Sequence, residues 1–474
     1  MSDGARTRPR PPRWTKHPAP RTAPSPAVEG LAAELAAGTD AASATAAFWA
    51  AAEVGGTPLV DPAPDDDERI VTFLWRDRHG AGDGTRAVVL LANKLTDPTL
   101  PDESSLQRLP GTDVWWRAFV LSAAWHGTYA LAADDGDGPV EDAALGPASR
   151  WRGLATRAAA DPRNPRTFPG IHGGTPLSVL ELPDAPPQTY SVLPAGARRG
   201  AVQEVAVPGL HAGEHRRAWV YVPPATAGPP REPHRLLILL DGDEWTGRRD
   251  APTILDALHH AGRIPPTIAL LVDGGDTATR WDDMTTGAPY LELLADGLPQ
   301  WMRERHPVGP GREHVVLAGQ SLGGLAVLRA AAHAPDRVGA VIAQSASLWW
   351  GGQAAADAPS PVVDELRARP PHGVRVHSQV GRDEWVLLHS HRALAGALRD
   401  AGVEHELAEY EGGHDAFCWR GGLADGLIAV LGPSALRGSD PASGTAPAGR
   451  PSSAATPASP GASTVIDPDA DATT

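Results

Sequence analysis

One ten-residue run constrains this chain more than any other: Val315-Val316-Leu317-Ala318-Gly319-Gln320-Ser321-Leu322-Gly323-Gly324, an apolar stretch that passes through G-x-S-x-G directly into the helical pattern LAVLRAAAHAP. A backbone can follow that run only by turning sharply from strand to helix, and the residues flanking the turn have to be small enough for the two arms to approach. The turn lifts the serine hydroxyl above the end of a sheet. The neighbouring runs RLLILLDG, TIALLVDG, GAVIAQS and VRVHSQVG are apolar without alternation and are separated by helical patterns. Strands covered by helices on both faces read this way, so an α/β domain with a mostly parallel sheet is expected, introduced by a hairpin from VQEVAVPGL and RRAWVYVPP.

A serine hydroxyl at its ordinary pKa is a poor nucleophile and needs a base, which in this architecture follows the last strand. His414, in Glu411-Gly412-Gly413-His414-Asp415 after the strand-like EHELAEY, stands there, whereas His172, His314, His389 and His391 are read as ordinary surface histidines. The acid that orients the imidazole should follow the strand VRVHSQV, where Glu384 is preferred and Asp383 is kept as the alternative. The order Ser, acid, His is that of α/β hydrolases. For the oxyanion, one N–H is expected from Leu322, behind which a helix N-terminus favours negative charge, and a second from the loop Asp241-Gly242-Asp243-Glu244-Trp245, with Asp243 as the candidate. The carboxylates of that loop lack histidine companions, so they are read as turn formers and caps, and no protein-bound metal is expected.

Outside this region the pattern changes. Residues 1–27 and 437–474 are Pro-, Ala-, Ser- or Arg-rich without periodicity and are expected to be disordered. Residues 28–190 are read as a β-rich domain. A helical lead around Leu31, Leu35, Phe48 and Trp49 precedes the strand-like IVTFLWRD, RAVVLLANKL, VWWRAFVL and GTYALAA, which predict a small antiparallel, sandwich-like domain. A Pro- and Gly-rich connector from Leu145 to Leu182 follows. Residues 191–436 form the α/β domain.

The formal charge of −15 argues against general binding to nucleic acid or anionic membrane. No apolar run approaches membrane-spanning length and the basic N-terminus lacks a signal-like apolar core, so a cytoplasmic protein is expected. The single cysteine, Cys418, is compatible with a reducing compartment.

The blocks GQSLGGLAVL, QSASLWW, GRDEW and EGGHDAFCWRGGL, in that order, resemble those of the enterochelin esterase family. VTFLWRD, NKLTDP, SLQRLPGTDVWW, WHGTYAL and DPRNP resemble blocks of that family's N-terminal domain, so the likeness spans about Ile70 to Leu431. It implies a serine esterase acting on ferric enterobactin-type catecholates, with Ser321 as nucleophile, His414 as base and Glu384 as acid. Iron would enter with the substrate, and no resident cofactor is implied. A ferric tris-catecholate is anionic and aromatic, which suits arginine and tryptophan. Arg76, Lys94, Arg108 and Arg280, with Trp245 and Trp350, are the candidate contacts. Lys94 and the Trp281-Asp282-Asp283 run depart from the family pattern, which leaves the particular siderophore open. The alternatives are a serine esterase or acyltransferase for feruloyl or lipid-like esters, and a siderophore-binding protein on a hydrolase scaffold that has lost catalysis.

Overall fold

The computed structural model describes residues 19–82, 84–97, 101–135, 153–154, 156–210, 213–224, 233–285, 287–352 and 358–433. Two four-stranded antiparallel sheets make the N-terminal half. One is ordered β1 (Leu59–Pro62), β2 (Glu68–Arg76), β5 (Val114–Ser122), β4 (Gln107–Arg108); the other β3 (Ala87–Ala92), β6 (His126–Asp134), β8 (Leu177–Glu181), β7 (Thr167–Phe168). Their inner faces share one core, in which Phe73 meets Tyr129 edge-on at 5.0 Å. β2 is apolar on both faces because its outer side is also covered. Leu74 and Val114 pack with Val28, Leu31 and Trp49 of two helices, Pro26–Ala36 and Ala41–Gly55.

The C-terminal half is one eight-stranded sheet in the order β16 (His405–Tyr410), β15 (Arg375–Gly381), β14 (Ala340–Gln344), β13 (Val315–Gln320), β11 (Arg235–Leu240), β12 (Thr267–Val272), β10 (His215–Val222), β9 (Ala201–Pro208). β9, β10 and β12 pair antiparallel and the rest parallel. β11 shows why its sequence carries no alternation. Leu236, Ile238 and Leu240 enter the core beneath one helical layer, Leu237 and Leu239 the core beneath the other, and all five are fully buried. At roughly 1.5–3 kcal/mol for each aliphatic side chain removed from water, such strands hold the sheet rigid beneath whatever its ends carry. The C-terminal ends of β11, β13, β15 and β16 lie along one edge, which in a parallel sheet is where loops converge on a ligand.

Two expectations need correction. Residues 19–25 were placed in a disordered tail, yet Ala23 N–H donates to Ala118 O at 3.2 Å and Val120 N–H to Arg21 O at 2.8 Å. The backbone of β5 offers partners there that composition cannot reveal. The segment read as a connector instead supplies β7 and β8 to the second sheet. The remaining tail residues, 1–18 and 437–474, lie outside the described residues, as do residues 434–436 of the α/β domain.

Candidate active site

Ser321 sits between β13 and the helix Leu322–His333 with φ 56° and ψ −119°, a conformation costing about 1–3 kcal/mol that persists only where the surroundings enforce it. They do so here. Ser321 N–H donates to Gln344 O at 2.9 Å, and a Cβ on Gly319 would stand 2.5 Å from the carbonyl carbon of Gly323. The hydroxyl lies 3.3 Å from that of Ser347, whose backbone N–H donates to Ser321 O at 2.9 Å. Leu322 heads the helix and so offers its N–H toward the serine.

Glu384, 1% exposed, meets His414 Nδ1 through Oε2 in a short hydrogen bond. Its Oε1 accepts from Ser345 Oγ at 2.6 Å, Gly381 N–H at 2.9 Å and the Tyr410 hydroxyl at 3.2 Å. Burial by itself would push this carboxyl up, but His414 beside it and the Ser345 and Gly381 donors more than reverse that and hold it below the usual glutamate value. The carboxylate therefore stays ionised and keeps the imidazole oriented through Nδ1. Trp419 presses edge-on against the imidazole at 4.6 Å and donates its own N–H to Ser345 Oγ at 2.9 Å. Asp383, the alternative acid, points elsewhere: its Oδ2 accepts from the Trp125 indole at 2.9 Å.

The N-terminal domain holds the histidine loop. Asn93 Nδ2 donates to His414 O at 2.6 Å, and His126 N–H to Glu411 O at 3.0 Å. Thr128 gives Asp415 Oδ2 both its N–H, at 2.8 Å, and its hydroxyl, at 2.6 Å. A Cβ on Gly413 would lie 2.0 Å from Asn93 O, so glycine is required for this approach. Lys94 is exposed next to that contact, its Cβ 3.0 Å from the same position.

Ser321 and His414 line one cavity of about 300 Å³, together with Asp241, Asp243, Arg248, Arg249 and Arg280. A second cavity of about 550 Å³ adjoins it through His414, Trp419, Arg248 and Ile171, and runs along Leu91, Asn93, Thr128 and Phe168 of the N-terminal domain. Asp241 ties the floor together, since Arg280 grips it with two nitrogens and Gln320 Nε2 donates to it. Asp243 lines the cavity with its carboxyl raised, chiefly by burial. Among the described residues no group of three or more His, Cys, Asp or Glu side chains is placed to hold a metal ion.

Of the expected ligand contacts, Arg280 lines the cavity, while Lys94 is exposed beside Gly413. Arg76 is instead paired to Asp113 at 2.8 Å and lies over Trp49, and Arg108 donates to Gly80 O at 2.7 Å and Thr112 O at 3.0 Å. Both arginines serve the N-terminal domain's own turns. Trp245 is fully buried with its N–H on Gln320 Oε1 at 3.0 Å, supporting the nucleophile from below. Trp350 belongs to an aromatic cluster with Trp281 and Trp349. His391 is buried, not a surface residue, and accepts Ala346 N–H at 3.2 Å, which fixes the loop carrying Ser345 and Ser347. Those two serines, Tyr410, Arg248 and Arg249 were not singled out from sequence. Ser345 and Ser347 lay within the QSASLWW block that drew attention for its tryptophans, and Arg248-Arg249 directly follow the loop proposed for the oxyanion.

Sheet order, elbow and the positions of acid and histidine define the catalytic half as an α/β hydrolase. Family models agree for both halves. The enterochelin esterase N-terminal model matches residues 70–191 and the Esterase model residues 211–430. The chain is 31% identical over 381 residues to the iron(III) enterobactin esterase of Escherichia coli K12, covering 78% of this chain and 93% of that one. It is 33% identical over 416 residues to the iron(III) salmochelin esterase of Escherichia coli O6:H1, covering 86% and 98%. The crystal structure of the ferric enterobactin esterase from Salmonella typhimurium superposes with a TM-score of 0.68 at 30% identity, over 81% of this chain and 98% of that one. The chain belongs to the enterochelin (enterobactin) esterase family, and is an ester hydrolase by that membership.

Proposed function

We propose that this protein is a serine esterase that hydrolyses the ester backbone of ferric enterobactin-type catecholate siderophores and thereby releases iron inside the cell. The observation carrying this reading is that Ser321 and His414, the latter held by buried, ionised Glu384, line a cavity that adjoins one walled by the N-terminal domain. Relatives named for iron(III) enterobactin and salmochelin give the substrate class, and a Shigella flexneri enterobactin esterase crystallised in the presence of enterobactin has a TM-score of 0.65 at 29% identity, over 81% of this chain and 97% of that one.

His414 Nε2 takes the Ser321 proton as Oγ attacks an ester carbonyl, and Glu384 stabilises the resulting imidazolium through Nδ1. The oxyanion is held by the Leu322 N–H and by a second N–H from the Asp241–Trp245 loop at Asp243. His414 returns the proton to the leaving seryl-type alcohol, then activates the water that clears the acyl-enzyme. Opening the scaffold removes the effective concentration that keeps three catechols on one iron. Iron enters as part of the substrate; the chain itself holds no cofactor in this scheme. Among the described residues no helix is long and apolar enough to cross a membrane.

The test is a time course of ferric and iron-free enterobactin with wild-type protein and Ser321→Ala, followed by chromatography with mass detection. Linear trimer, dimer and monomer of 2,3-dihydroxybenzoylserine should form with wild type, and kcat should fall by roughly 10⁴-fold or more in the variant. If wild type leaves both ligands intact while cleaving simple aryl esters, the siderophore reading is wrong.

A further inference from the structure

Three arginines line the cavity that holds Ser321 and His414, and two are already committed within the protein. Arg280 is clamped on Asp241, and Arg248 donates to Glu244. Arg249 differs. Its side chain is only 4% exposed, its Nε and Nη1 have no hydrogen-bond partner, and its contact with Glu244 is a distant 3.8 Å from Nη2. The guanidinium is held between two indoles, 4.9 Å from Trp245 and 5.2 Å from Trp419, and the latter ring packs on the catalytic imidazole. The flanking rings fix its plane, and with the nearby Asp241 and Glu244 carboxylates they help retain its charge. A planar fork with open donors beside a nucleophile is suited to a carboxylate, which it can engage bidentately.

We propose that Arg249 recognises the free carboxylate of a linear ester substrate, so that the site favours the later cuts that follow ring opening. This inference rests on the esterase reading above. In an ester of an N-acyl serine only Cβ and Cα separate the leaving oxygen from that residue's own carboxyl carbon. When the alcohol belongs to the chain's last residue, its carboxylate therefore comes close to the scissile bond, within the cavity shared by Ser321, His414 and Arg249. A cyclic triester has no free carboxylate to offer. The catechol oxygens lie farther off, beyond the amide. Burial with Arg248 nearby lowers the Arg249 pKa only to about 10, so the group remains cationic at neutral pH.

The first arm of the test measures kcat/KM of wild type, Arg249→Gln and Arg249→Lys on three esters: cyclic enterobactin, the linear dimer of 2,3-dihydroxybenzoylserine, and that dimer with its carboxylate converted to a primary amide. Wild type should prefer the acid dimer over its amide by about tenfold or more. Arg249→Gln should erase that preference while changing the amide and the cyclic ester less than threefold, and Arg249→Lys should keep part of it because charge remains without the fork. Equal turnover of acid and amide by wild type overturns the proposal whether or not the variants fold; so does an equal loss on all three substrates in a folded Arg249→Gln.

The second arm is calorimetry on Ser321→Ala with 2,3-dihydroxybenzoylserine, its amide and 2,3-dihydroxybenzamide, repeated with Arg249→Gln added. The acid alone should weaken. If the benzamide weakens as much, the ligand is a catechol oxygen and the carboxylate assignment falls. Because this arm needs no turnover, it judges the carboxylate site even if wild type fails to hydrolyse any of these esters and the esterase reading is lost.

Discussion

The two halves of the molecule use arginine and tryptophan in opposite ways. In the N-terminal domain the two candidate arginines are turned inward on the domain itself: Arg76 bonds Asp113 over Trp49, and Arg108 bonds turn carbonyls over Trp115. In the catalytic domain Arg248, Arg249 and Arg280 face the cavity at the nucleophile. The contribution of the first domain is therefore positional. It supplies a neutral wall and grips the histidine loop through Asn93, His126 and Thr128. A polar residue matters to the site through the atoms already occupying it, and abundance in a suggestive motif says little about that.

The contrast can be broken by substitution. The largest effect is expected at the rigid side of the site, where Glu384→Gln should lower kcat by roughly 10²- to 10⁴-fold with little change in KM, because the neutral amide no longer stabilises the imidazolium. Steady-state kinetics on whichever ester the time course shows to turn over checks it. Next comes the clamp. Asn93→Ala combined with Thr128→Val removes the two side-chain hydrogen bonds to the histidine loop and should cost kcat roughly 10- to 100-fold while both domains stay folded. Unchanged kcat would show that the loop holds itself.

A smaller effect is expected from Arg76→Ala. It should leave kcat/KM within about twofold and lower thermal stability by a few degrees, through the lost ion pair and its packing on Trp49. A large KM increase would return Arg76 to the ligand site.

Solution pH separates the halves most subtly. His259 and His405, both in the catalytic domain, are pushed by burial to about 4. Between the ordinary histidine value near 6.5 and about 4 the unfolded chain binds the protons that the folded protein refuses, so stability should fall as pH drops through that window. Glu384 acts in the same direction lower down, since its depressed pKa stabilises the fold above the ordinary glutamate value and that contribution is lost as pH falls. Denaturant melts from pH 7 to 4 should show the decline, and His405→Gln should flatten it without changing activity at pH 7.

Much of this was legible beforehand, and the limits are instructive. Ser321 and His414 could be read because each sits in a local backbone signal, a strand-to-helix elbow and a glycine-freed loop after the last strand. The choice between Glu384 and Asp383 could not, since adjacent residues on one loop share every local property. It is decided by Ser345 and Tyr410 on one side and by the indole of Trp125, 258 residues away, on the other. Arg76 and Arg249 posed the same difficulty. Each stands near tryptophans, but Arg76 pairs at 2.8 Å with Asp113 in the turn before β5, whereas Arg249 has Glu244 only at 3.8 Å.

The sequence by itself determined the two-part architecture, the parallel sheet, and the placement of Ser321 on the elbow and His414 on the loop after the last strand, because apolar periodicity and glycine placement act within a few residues. Tertiary structure decided which acid serves the histidine, that a second domain holds the catalytic loop, and which cations face the cavity. Those outcomes depend on distant atoms competing for the same donors and acceptors, and that competition exists only once the chain has folded.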